Sequence, residues 1–196
     1  MKVLRFLSNE FVLGTLITLL SIFTAVASYQ GAMADSEQNK NELTGMKFQN
    51  DGNAEYLTAN QQVSQDYTYF DNWYLNQETN PDIAEYYQND FSESLQSAIA
   101  RDENAVWDEQ YYDEMYATST DWFDQSEAAY NKATEWDDRG DQLQLVMLIM
   151  ALGLAFAAWA SLAKEESNMR LVFAIFAIIT LVGGVIQFFL VPAVLA

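Results

Sequence analysis

The stretch QLQLVMLIMALGLAFAAWASLAKEESNMRLVFAIFAIITLVGGVIQFFLVPAVLA, residues 142–196, decides how the whole chain is read. It holds two uncharged runs, Gln142–Ala163 and Leu171–Ala196, divided by the seven residues Lys164–Arg170. Each run exceeds the roughly 20 apolar residues that carry a helix across the hydrocarbon core of a bilayer. A link this short forces the two helices to lie adjacent and antiparallel. The stretch therefore predicts a transmembrane helical hairpin.

A third uncharged run, Phe11–Ala34, follows Lys2 and Arg5 near the start of the chain. A basic start, an apolar middle and the small residues Ala25-Val26-Ala27 would also suit a secretory signal peptide. We read the run as a retained first span. Short basic flanks mark the cytoplasmic side of a membrane protein. Lys2 and Arg5 precede the first span, and Lys164 and Arg170 lie between the second and third. Three spans, 11–33, 142–163 and 171–192, put residues 1–10 and 164–170 in the cytoplasm. Residues 34–141 and the end, 193–196, are then outside. The expected location is the cell (cytoplasmic or inner) membrane, crossed several times, with a periplasmic or extracellular head.

Composition excludes several activities. The 196 residues contain no His and no Cys, and 28 Asp plus Glu against 9 Lys plus Arg. Without Cys there are no disulfides, thiolate nucleophiles or Cys-ligated zinc. Without His, Ser-His-Asp and Cys-His chemistry is excluded, together with the commonest transition-metal ligand. Nucleic acid is an unsuitable partner, because a surface this acidic repels phosphates. No cofactor is expected, and no ionisable residue lies deep in a span, as proton relays and voltage sensors require.

Residues 34–141 carry 25 acidic and 5 basic residues, with 18 aromatics against only 8 Val, Ile or Leu. Disordered tracts are poor in aromatics, so this region reads as a folded, thinly cored helical domain built on rings. Ala34–Asn53 is nearly devoid of large apolar residues and continues the first span directly, which suggests a helical stalk. Gly45 and Gly52 mark possible bends or ends. Val63, Tyr67, Phe70 and Tyr74 recur at helical spacing. Asn80-Pro81 then opens a further helix, whose face is Ile83, Tyr86, Tyr87, Phe91, Leu95 and Ile99. Arg101–Asn104 breaks it. A short aromatic helix follows through Trp107, Tyr111, Tyr112 and Met115, and Ser119 or Thr120 caps the next.

From there Trp122, Ser126, Ala129, Ala133, Trp136, Gly140 and Leu143 alternate four- and three-residue spacings, a heptad-like seam leading into the second span. Within that span Gly153, Ala157 and Ser161 recur every four residues. Small residues at this spacing allow close helix approach in lipid, inside the hairpin or against another subunit. Tyr29, Trp136 and Trp159 suit the aromatic belts at the membrane boundaries. Asp137, Asp138 and Asp141, or Asp121, Asp124 and Glu127, could attract a cation, but no EF-hand spacing is present. A solvated acidic surface is the plainer reading. Arg139-Gly140-Asp141 spells an adhesion tripeptide, which a membrane-proximal helix makes a coincidence.

Ser28-Tyr29-Gln30 leaving the first span, then Phe70 and Trp73, then Ala84-Glu85-Tyr86-Tyr87 leading to Phe91, give the chain a resemblance. It resembles a family of uncharacterised prokaryotic membrane proteins with one N-terminal span, a long polar helical insert and a C-terminal pair of spans. The resemblance implies this architecture and no activity or catalytic residue. The Asn, Asp and Tyr bias here departs from the Ala- and Glu-rich inserts of that family.

Taken together, an all-α integral membrane protein is expected, with three spans, an acidic outer head and spans one and two prolonged as a stalk. Its expected role is non-enzymatic: an accessory subunit or a homo-oligomer in the lipid bilayer. The alternative is a homo-oligomeric cation channel with an acidic vestibule. A hydrolase using paired carboxylates such as Asp124 and Glu127 would need an outer cleft holding a buried acid.

Overall fold

The structure, a computed structural model, describes residue 6 and residues 9–194. Lys2, Arg5 and the last two residues lie outside the described residues. Among the described residues there are five helices of eight or more residues: α1 (Glu10–Asn76), α2 (Pro81–Gln88), α3 (Glu93–Arg101), α4 (Glu109–Leu162) and α5 (Asn168–Leu190). No strand occurs among the described residues. Helices α1, α4 and α5 each carry a stretch long and apolar enough to cross a membrane. The chain divides into two compact units. One comprises residues up to Asn41 and from Asn131 onward, and the other Glu42–Tyr130.

The first unit is a three-helix bundle. Leu13, Leu16, Leu20 and Ala27 of α1 meet Leu143, Val146, Met150, Ala157 and Ala160 of α4, with Ala174 and Ala177 of α5. These positions recur at threes and fours, the repeat that keeps one helix face turned to its neighbours. Small side chains set the distance between helices. A Cβ on Gly153 would come within 2.6 Å of both Leu20 Cδ2 and Thr180 Oγ1, so α1, α4 and α5 converge there. A Cβ on Gly184 would meet Met150 Cε at 2.6 Å. Rings fill the wider gaps, with Phe23 against Phe188 at 5.9 Å and Phe156 against Phe176 at 5.3 Å. The outward side chains, among them Ile22, Leu148, Leu152, Ile179, Val182 and Ile186, are also apolar. Lipid, not water, is the solvent that such an exterior suits.

The hairpin link is closed by its own side chains. Ser167 Oγ accepts the Met169 N–H at 3.2 Å and caps α5. Arg170, 4% exposed, donates from Nη1 to the Ala163 carbonyl at 3.3 Å, one of the groups the end of α4 leaves without a helical partner. Its charge, counted above as a topology signal, thus also holds the turn. Helix α5 stops at Leu190, short of residue 192, because Val191 precedes Pro192 and is extended (φ −61°, ψ 119°).

The second unit corrects several sequence expectations. Gly45 and Gly52 do not end a helix; α1 passes through both. They admit rings instead: a Cβ on Gly45 would lie 3.0 Å from Tyr130 Cε1, and one on Gly52 2.9 Å from Phe123 Cε1. The expected single helix over residues 81–99 is two helices, α2 and α3. Ser92 starts the second, its Oγ accepting the Leu95 N–H at 3.1 Å. Asn80 does precede the first helix, but its side chain makes no capping bond. The face also differs: Ala84, Phe91, Leu95 and Ala98 are buried, while Ile83 and Tyr86 are exposed. No new helix begins at Ser119 or Thr120. Ser119 is buried within α4, its hydroxyl returned to the Tyr116 carbonyl at 2.8 Å. The start of α4 is set instead by Asp108, whose Oδ1 accepts the Tyr111 N–H at 2.7 Å.

Within each unit α1 and α4 run antiparallel in one unslipped register. Leu20 faces Gly153, Gly31 faces Leu143 and Ala34 faces Gly140 in the first; Gly45 faces Tyr130 and Gly52 faces Phe123 in the second. Replacing Gly153 with Ile should cost the bundle about 1–3 kcal/mol through overpacking. Gly183→Ala, where a Cβ meets nothing within 4 Å, should be nearly neutral. Unfolding of the two variants in mixed detergent micelles checks the contrast.

Candidate functional site

The chemistry of the second unit centres on Asp66, which is 0% exposed. It is the only buried acid among the described residues. A carboxylate without water needs donors or a cation. Four donors converge on this one. Tyr111 O–H donates to Oδ2 at 2.9 Å, and Ser92 O–H donates to the same oxygen. Gln62 Nε2 and the Ser92 N–H donate to Oδ1 at 3.1 and 3.3 Å. The acid therefore ties α1 to the start of α3 and to the first turn of α4. Burial, and after it the bond to Asp66, raises the Tyr111 pKa far above its ordinary 10.0.

Aromatic rings surround this node. Trp73 lies edge-on to Phe91 at 5.7 Å, Trp107 lies edge-on to Tyr111 at 5.1 Å, and Tyr67 packs on Trp107 at 3.9 Å. The Tyr67 and Tyr112 hydroxyls share a 2.6 Å hydrogen bond, which pushes Tyr112 up to about 12. Outside the rings, Arg101 at the end of α3 reaches Asp108 with Nε at 3.0 Å and Nη2 at 2.8 Å, and Glu114 with Nη1 at 3.3 Å. This two-pronged contact holds Asp108 below its usual range, assisted by the Tyr111 N–H. An open groove of about 380 Å³ runs beside it, walled by Phe70, Tyr74 and Trp107 and by the Glu103–Asp108 segment.

The sequence-derived residues fall elsewhere. On α4, Ala129, Ala133, Gly140 and Leu143 are buried, as is Ser126, whose hydroxyl donates to the Gly45 carbonyl at 2.9 Å. Trp122 and Trp136 are half-buried on the same seam. Gly153 and Ala157 point into the three-helix bundle, whereas Ser161 is exposed and bonds back to the Ala157 carbonyl at 3.0 Å. Tyr29 and Trp159 are exposed, at 68% and 60%. Asp121, Asp124, Glu127, Asp137, Asp138 and Asp141 are all exposed along α4. No three acids gather into a candidate metal group among the described residues. Arg139-Gly140-Asp141 is helical, with Gly140 buried.

Sequence reasoning missed Asp66. Of the residues found at helical spacing, Val63 and Trp73 are buried but Tyr67 and Tyr74 are exposed, and Asp66 shares the buried face. A seam read as three-four-three from Val63 would have reached Asp66, but its donors Ser92 and Tyr111 stand 26 and 45 residues away.

Two variants and a pH series test the node. Tyr111→Phe removes one donor from a buried carboxylate and should cost the unit about 1–3 kcal/mol. Asp66→Ala should cost more, since it strands several donors at once. A group raised in the fold stabilises below its unfolded pKa and loses that contribution as pH rises through the folded value. Tyr111 should therefore favour the fold up to about pH 10 and cease to do so in stronger alkali. Asp108, being lowered, contributes above its ordinary 3.8 and loses that as pH falls through its folded value. Circular dichroism against pH should show helix loss at both extremes, with the alkaline limb changed in Tyr111→Phe. Comparison with protein-family models, with curated proteins and with solved structures gives no match to this chain.

Proposed function

We propose that this chain is a non-enzymatic integral membrane protein, a structural or accessory subunit that assembles with itself or with a larger membrane complex. In this reading its acidic, ring-rich head stands outside the cytoplasm of a cell membrane. The observation that carries it is the saturation of Asp66. The one buried acid among the described residues accepts from three side chains and a backbone amide, and so acts as a structural tie. Arg101 and Asp108 are likewise engaged with each other.

Lys164 and Arg170 in the short link between α4 and α5 support a cytoplasmic hairpin turn, which sends the head to the far side. The channel alternative draws less support. In the spans the hydroxyls of Thr15, Thr18, Thr24 and Thr180 each bond a carbonyl one turn back in their own helix. That satisfies them in lipid without a partner on another helix.

Native electrophoresis of gently solubilised membranes is the test. A discrete species larger than one chain, or a co-migrating partner complex, is expected. A monomer alone, at every detergent-to-lipid ratio that keeps the head folded, would contradict the proposal.

A further inference from the structure

In the first unit, one side chain is out of keeping with the acidic chain around it. Arg139 of α4 donates from Nη2 to Gln30 Oε1 at 3.1 Å and from Nη1 to the Pro192 carbonyl. Both acceptors are neutral. Among the described residues no carboxylate lies within ion-pair distance of it, in a chain that carries 28 acids. The two bonds fix the plane of the guanidinium and leave its remaining N–H groups without an acceptor among the described residues. A half-buried, oriented and uncompensated cation is complementary to an anionic oxygen.

The same guanidinium lines an open groove of about 600 Å³, a volume within the usual range of ligand pockets. Most of the remaining lining is apolar: Ala25, Val26 and Met33 of α1, with Ala193 and Val194 beyond α5. Tyr29 and Trp136 also line the groove. Rings of this kind sit at the headgroup depth of a bilayer. A largely apolar groove beside exposed membrane-type helix, lined also by two rings and a fixed cation, has the two-part chemistry of one ligand class. The apolar part accepts a hydrocarbon chain and the cation accepts a phosphodiester.

We propose that this groove is a phospholipid site, with the phosphodiester on Arg139 and one acyl chain along Ala25 and Val26. Occupancy holds the end of α5 against α1 and α4, because the Pro192 carbonyl shares the same guanidinium. The site asks for the phosphate rather than for a particular headgroup.

The full chain, carried in bilayer discs of equal parts phosphatidylethanolamine and a glucosyl diacylglycerol with the same acyl chains, is released into native mass spectrometry. One retained phospholipid per chain is expected, favoured over the glycolipid by about tenfold, the worth of one charge-assisted contact. Arg139→Gln should remove the preference. Arg139→Lys should keep part of it, and Lys132→Gln, which changes a neighbouring cation outside the groove, should leave it intact. Val26→Trp, which touches neither hydrogen bond of Arg139, should reduce retention of both lipids by filling the groove. Circular dichroism confirms that each variant keeps its helix content. Equal retention of the two lipids by the unaltered chain would overturn the proposal. So would equal loss in Arg139→Gln and Lys132→Gln, or displacement of the lipid by inorganic phosphate.

Discussion

Everything in this molecule depends on how closely α1 and α4 can approach. Each is far longer than a membrane crossing, at 67 and 54 residues, and each belongs to both compact units. A long polar helix is unstable by itself, because it has too little apolar surface to offset the ordering of its chain. Small residues on the facing sides provide the remedy. Ala27, Ala34 and Ala59 on α1, with Ser126, Ala129 and Ala133 on α4, are all buried. They let two backbones pack where large side chains would hold them apart. Where the partner is a ring, the facing residue is glycine, as at Gly45 with Tyr130 and Gly52 with Phe123.

The same device works against two different solvents. In the first unit the seam is flanked by Leu, Ile, Val and Phe pointing outward, and α5 adds a third apolar helix. In the second the flanks are acidic and the interior is made of rings gathered about Asp66. Few aliphatic residues are available there, so specificity comes from hydrogen-bonded hydroxyls and a carboxylate. A buried carboxylate is costly when any partner is missing and directional when all are present. It therefore suits a head whose thin apolar core would not by itself select one packing.

Much of this was legible in the residues. The spans follow from uncharged runs, and the buried seam on α4 follows from the four-three alternation beginning at Trp122. The signals that misled were local ones whose outcome is decided by distant parts. Gly45 and Gly52 look like helix ends until a ring on another helix is seen to need the space. Ser119 looks like a cap, yet its hydroxyl returns to Tyr116 and its small volume serves the seam. The break between α2 and α3 follows from Ser92 as a cap and from its bond to Asp66, a pairing no periodicity reveals. The groove at Arg139 brings together residues near positions 30, 139 and 192, and such assembly is visible only in three dimensions.

The absence of cysteine from the natural chain allows the α1–α4 register to be measured directly. A Cβ at Gly140 would lie 3.7 Å from Ala34 Cβ, and one at Gly31 lies 3.8 Å from Leu143 Cβ. Both separations match the roughly 3.8 Å of a relaxed disulfide. Cysteine pairs at Ala34 with Gly140, and at Gly31 with Leu143, should each cross-link within one chain on mild oxidation in the membrane. A pair at Ala34 with Ala133, displaced along α4 by about 10 Å, should not. Efficient linkage of the displaced pair, with none of the matched ones, would contradict the antiparallel seam and the fold built upon it.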